Sequence, residues 1–246
     1  MDASFTLGAL ELATDVEPAD WVVSGVRDFR YDVGSLLPAG FAAYARVFHP
    51  ALLREDGLAE EVRWSRVAAA NGFRAHAGME WVAITGGWRY LRGDTQPGLW
   101  DEPPRQGSLP VRQAGLLAAR LAAFTGALDR CWFAVWEGFG GLALPRAAVP
   151  RVRMPQRDML LLSGPLSAVT TSLSEPPWDQ LASLWWPADR AWCVATDVDL
   201  MTTYVAGSRE CVDALLADPA LETGPVTPDQ RTTWDCDHLN PVPPAP

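Results

Sequence analysis

The second half of the chain limits the fold most. Residues 130–136, 158–163, 190–198 and 202–206 are short apolar runs, rich in aromatic and β-branched side chains and bounded by Gly and Pro, and no helical stretch lies between 158 and 206. Runs of this kind read as strands. Strands with no helix-length crossover between them pair antiparallel. Residues 41–48 alternate in the same way and stop at His49-Pro50, because proline cannot continue a ladder inside a sheet.

Helical patterning falls in the first half. Leu58, Val62, Val67 and Ala70 recur at helical intervals before Asn71-Gly72, residues 75–84 form a weaker second segment, and residues 108–126 read as a helix with Ser108 as its cap. Ser208 caps a further helix ending near 218. The expected class is α+β: helices of the first half packed on a mainly antiparallel sheet of the second half, with a closing C-terminal helix. The expected organisation is a loose arm over 1–20, a single domain over 21–225, and a Pro-rich tail over 226–246. The Gly/Pro-rich stretch 92–106 and the Pro/Arg-rich stretch 144–155 read as loops.

The chain has 246 residues, 20 cations against 30 acids, and a formal charge of -10. All 20 cations are arginine, a bias that also marks GC-rich coding, and 12 tryptophans outnumber 4 tyrosines. Net acidity argues against a sequence-independent nucleic-acid binder. No apolar window reaches membrane-spanning length. The acidic first twenty residues lack the cationic region of a signal peptide, so a cytoplasmic setting is expected. Cys131, Cys193, Cys211 and Cys236 are too widely spaced for a paired-cysteine motif and read as reduced thiols.

Six groups offer chemistry. Asp197 and Asp199, two residues apart at a strand end, suit a divalent cation or an acid/base pair; they equally suit loop carboxylates that pair Arg190 or cap a turn. Asp189 and Arg190 stand between indoles. Glu137 leaves a strand beside Gly138, Gly140 and Gly141, where a general base can sit, although this turn matches neither phosphate-binding nor dinucleotide-binding fingerprints and no cofactor is expected. His49 reads as a buried polar anchor or a site residue, and residues 235–238 gather Asp, Cys and His without a recognised zinc spacing. Trp100, Trp178, Trp185 and Trp186 are expected in loops, either as interface anchors or folded back as a lid.

The run WWPADRAWCVATDVDLMTTYVAGS at 185–208, with TWDCDHLNP at 233–241 behind it, resembles a widespread actinobacterial protein family of unknown function. That resemblance implies a bacterial source and a cytoplasmic setting, and it implies no activity. The leading expectation from the residues is a non-enzymatic protein that binds a protein or small ligand through a Trp/Arg/Asp surface of Trp178, Trp185, Trp186, Asp189, Arg190, Asp197 and Asp199. Two alternatives stand beside it. One is a metal-dependent hydrolase or transferase using Asp197 and Asp199 with Glu137 or His49; the other is an immunity-type, toxin-neutralising module.

Overall fold

A computed structural model describes residues 5–91, 94–147 and 149–244. Residues 1–4 of the expected arm, 92 and 93 of the loop 92–106, 148 of the loop 144–155 and the last two residues of the tail lie outside the described residues. The strands are β1 (Thr6–Leu7), β2 (Leu10–Leu12), β3 (Ala43–Phe48), β4 (Ala51–Glu55), β5 (Leu58–Val62), β6 (Cys131–Trp136), β7 (Val152–Met154), β8 (Arg157–Gly164), β9 (Leu184–Pro187), β10 (Cys193–Ala195), β11 (Thr202–Gly207) and β12 (Thr223–Val226). The helices are α1 (Asp20–Gly25), α2 (Trp64–Ala70), α3 (Trp81–Thr85), α4 (Val111–Leu121) and α5 (Arg209–Leu216).

Among the described residues, ten strands form one antiparallel sheet in the order β1-β2-β8-β6-β9-β10-β11-β3-β12, with β7 on the same edge of β8 as β2. Both faces are covered. Phe133, Val135, Leu160, Leu162, Trp185, Val194 and Val205 meet α4 and α5 through Leu117, Leu121, Cys211 and Leu215. Leu161, Leu184, Trp186, Cys193, Tyr204 and Ala206 meet Ala19, Val22, Val33 and Leu37 on the other side. Two-sided burial is why residues 159–162 read as one unbroken apolar run rather than an alternating one.

The expected layering is overturned. The protein is mainly antiparallel sheet with few helices, and the first half supplies strands β1 to β5 rather than a helical layer. After α5 the chain closes on β12, which pairs with β3, so the carboxyl-terminal region of the domain is strand. The physical reason is clearest at 58–70. Asp56 and Gly57 adopt φ of 49° and 81°, the paired left-handed geometry of a two-residue hairpin turn, so residues 58–62 pair with β4 and helix begins only at Trp64. Ser108 is no helix cap; its Oγ accepts from Leu181 N at 3.0 Å, and α4 starts at Val111.

Segments towards both ends of the described residues are also tied down. β2 pairs with β8 through Glu11 opposite Ser163 and Leu12 opposite Leu162, so the amino-terminal segment from residue 6 is an edge of the sheet rather than a loose arm. Beyond β12 the chain returns across the segment 31–34, where Val33 N donates to Gln230 O and Thr232 N donates to Tyr31 O. A third apolar cluster, holding Phe48, Leu53, Val62, Trp64, Val67, Trp81, Ile84 and Trp100, lies under the β4–β5 hairpin and beside this returning segment.

Candidate functional site: an aromatic cleft over a buried ion pair

β3 places Arg46 opposite Tyr204 of β11 and Gly224 of β12. A Cβ at Gly224 would stand 2.6 Å from Ala77 Cβ, so glycine lets the chain at 76–80 lie directly on the sheet. That chain surrounds the guanidinium. Arg46 Nη1 donates to Met79 O at 3.0 Å and Nη2 to Glu80 Oε1 at 2.8 Å, while the group lies 4.8 Å from the Phe48 ring centre and 5.7 Å from that of Trp64. Burial pushes the Glu80 carboxyl above its ordinary range, with Arg46 opposing the shift. For Arg46 the order reverses: burial acts to lower its pKa, and Glu80 and its neighbours outweigh that and raise it.

Above this pair opens a cleft of about 380 Å³. Trp64, Trp81, Trp88, Trp234, Phe29 and Tyr31 give it an aromatic lining, and Trp88 and Trp234 meet edge to face at 4.5 Å. Its size and its mix of apolar walls with a few polar groups are those of a small-molecule site. Two N–H donors in its lining side chains, Trp81 Nε1 and Arg46 Nε, are buried without a hydrogen-bond partner. Leaving such a donor unmatched costs roughly 1–3 kcal/mol.

The wall that carries Trp234 is held by Asp237. Its carboxylate accepts from Asn240 N, Leu239 N, Asn240 Nδ2 and Glu80 N, and meets His76 Nε2 at 2.9 Å. Burial acts to raise its pKa, but the donors from Asn240, Leu239 and Glu80 outweigh burial and hold it below the usual carboxylate range. Cys236 adds a contact from Sγ to Glu80 Oε1 at 3.3 Å, which links this wall to the ion pair.

Of the residues singled out in the sequence, only Asp197 and Asp199 reach the cleft. β10 ends at Ala195, so both lie in a turn, where Asp199 N donates to Asp197 Oδ1 at 3.2 Å. Their common partner is Arg157 rather than Arg190, at 3.4 Å to Asp197 and 3.2 Å to Asp199. Asp189 instead secures the turn after β9, accepting from Thr125 Oγ1 at 2.7 Å and Gly126 N at 2.8 Å. Arg190 adopts a φ of 57° and lies 5.5 Å from the Trp21 ring centre.

The expected loop indoles separate. Trp185 and Trp186 are not in a loop: they sit in β9, 2% and 1% exposed, one in each core, because adjacent strand residues point to opposite faces. Trp100 lies outside the strands but is fully buried against Trp81. Trp178 alone of the four is exposed, at 69%, and it is not among the side chains lining the cleft.

Glu137 and His49 do not join Asp197 and Asp199. Glu137 pairs with Arg151 at 2.5 Å. His49 is wholly buried, with Nδ1 2.6 Å from Arg105 O and Nε2 2.8 Å from Thr203 Oγ1. Since a carbonyl only accepts, Nδ1 carries the proton and Nε2 accepts from Thr203, the neutral tautomer. Burial pushes its pKa down to about 4, with the Arg105 carbonyl opposing that shift. Among the described residues no three His, Cys, Asp or Glu side chains gather as a metal-ligand set, and all four cysteines are free thiols.

Sequence reasoning missed Arg46, Glu80, Trp64, Trp81 and Trp88. Arg46 did leave a signal, a lone cation inside an otherwise apolar strand. Trp234 lies in the run 233–241, within the expected Pro-rich tail 226–246. Compared with models of protein families, with curated proteins and with solved structures, the chain matches none.

Proposed function

We propose that this is a non-catalytic small-molecule-binding protein and that the aromatic cleft over Arg46 and Glu80 is its site. One observation carries the reading: a cleft of about 380 Å³ gathers Trp64, Trp81, Trp88, Trp234, Phe29 and Tyr31 in its lining above the Arg46–Glu80 pair. A ligand with a flat or apolar body suits such a lining. The neighbouring carboxylates are engaged in holding the walls: Glu80 with Arg46, Asp32 with Ser35 and Arg27, and Asp197 and Asp199 with Arg157. That favours binding over acid/base chemistry.

Calorimetric titration with a panel of ring-bearing amides, alcohols, amines and acids tests the reading. At least one class is expected to bind one-to-one, and Trp88→Ala with Trp234→Ala is expected to weaken that class tenfold or more, about 1.4 kcal/mol. Binding that survives loss of both indoles unchanged would place the ligand elsewhere.

A further inference from the structure

Resting on the reading of the cleft as a small-molecule site, we infer that residues 233–243 form a hinged strap that opens as one unit and admits the ligand to the cleft. The strap shares no apolar core with the body. Val226 is the last of the described residues to join any of the three apolar clusters, and Trp234 and Leu239 stay 47% and 42% exposed. A segment with so little buried apolar contact opens at a lower free energy than the sheet beside it.

The attachments change character at Thr232. Up to that residue backbone is bonded to backbone: Gly34 N donates to Pro228 O at 2.9 Å, Val33 N to Gln230 O at 3.0 Å and Thr232 N to Tyr31 O at 2.8 Å. Past it, side chains make the junction. Asn240 Oδ1 accepts from Arg74 N at 2.8 Å and its Nδ2 donates to Arg74 O at 3.0 Å. Asp237 accepts from Glu80 N at 3.2 Å, and Trp88 Nε1 donates to Pro243 O at 3.0 Å. Asp237 and Asn240 are 6% and 5% exposed, yet both are polar, so opening hands their hydrogen bonds to water and exposes little apolar surface. The turn at 232 and 233 is the hinge, and Asp237 with Asn240 is the latch.

In the closed state the strap is a wall of the cleft. Thr233 and Trp234 line it, with Trp234 edge to face on Trp88. Trp64 and Trp81 line the same cleft but are only 1% and 2% exposed, so the closed state covers its deepest rings. Lifting the wall that carries Trp234 uncovers them.

Arg74 N, Glu80 N and Trp88 Nε1 belong to the body and donate to acceptors on the strap, so each loses its partner when the strap lifts. Hydrogen exchange of the full chain without ligand, followed by NMR, tests the inference. These N–H groups are expected to agree in protection within about threefold and to lie roughly tenfold or more below the amides in the middle of β6 and β8. Asn240→Ala removes the bonds to Arg74 and Asp237, and is expected to speed exchange at Glu80 N and at the Trp88 and Trp81 indoles together, by roughly tenfold. A merely local role for Asn240 would speed Arg74 N alone. Protection equal to that of the β6 and β8 amides would make the segment part of the cooperative core, and unrelated values would mean piecemeal fraying; either overturns the strap. Faster exchange at Glu80 and Trp88 in the variant with no change at Trp81 overturns the gate. With no ligand present, these outcomes leave the small-molecule reading standing, and that reading falls separately if the calorimetric panel finds no binder.

Discussion

Arg46 Nη2 and Glu80 Oε1 stand 2.8 Å apart with side chains only 3% and 12% exposed, and the pair forms the floor of the aromatic cleft. Two charges taken out of water repay the cost only while each has the other. Arg46→Met therefore strands the Glu80 carboxylate and is expected to cost about 3–5 kcal/mol in urea denaturation. Arg46→Met with Glu80→Gln is expected to cost less than the sum of the single changes. Strictly additive losses would mean the two groups are not coupled.

His49 sets a pH dependence with a definite sign. Its folded pKa lies near 4 and its unfolded value near 6.5, so between those values the unfolded chain binds the extra proton and folding loses stability as pH falls. The full contribution is present above about pH 6.5 and is lost progressively towards pH 4, by about 3 kcal/mol at most. Denaturation of His49→Gln beside the native chain from pH 7.5 to 4 is expected to show a flatter slope in the variant. Identical slopes would show that His49 is not held neutral.

The two indoles of β9 are core, so Trp185→Ala and Trp186→Ala are each expected to cost about 3–5 kcal/mol. Trp178→Ala is expected to change stability by no more than about 0.5 kcal/mol. Denaturant midpoints for the three variants check the ordering. A Trp185 variant as stable as the Trp178 variant would contradict the placement of β9.

Gly224 carries the seat of the 76–80 chain. Gly224→Ala drives a methyl into Ala77 and is expected to cost about 1–3 kcal/mol and to weaken ligand binding, because Met79 and Glu80 ride on the displaced segment. Stability and affinity measured on one preparation decide it. An alanine variant that loses stability but keeps full affinity would uncouple the seat from the cleft.

The strands were legible in the sequence wherever the local pattern and the tertiary outcome agree. Residues 131–136, 157–164 and 202–207 are apolar, β-branched or aromatic runs, and they pair as strands. The layering was not legible, because Leu58, Val62, Val67 and Ala70 satisfy a helical period by accident across a hairpin turn, and Asp56-Gly57 was the stronger signal. The site was harder still. Arg46 and Glu80 are 34 residues apart, and Arg157 stands 40 and 42 residues before Asp197 and Asp199, separations that no spacing rule covers. Asp197 and Asp199 were found because both lie in one short turn. Trp234 was hidden because its proline-rich surroundings read as tail, whereas Asp237 folds that segment back onto the cleft.

The indole N–H of Trp81 reports on the cleft, since the Trp81 side chain lines it. Its resonance can be assigned by its loss in Trp81→Phe and then followed while a ligand that binds by calorimetry is added. Binding in the cleft predicts a shift of this signal, as the ligand packs against the Trp81 side chain, with accompanying shifts at Trp88 and Trp234. A bound ligand that leaves Trp81 unmoved and shifts Trp178 instead would contradict the cleft as the site.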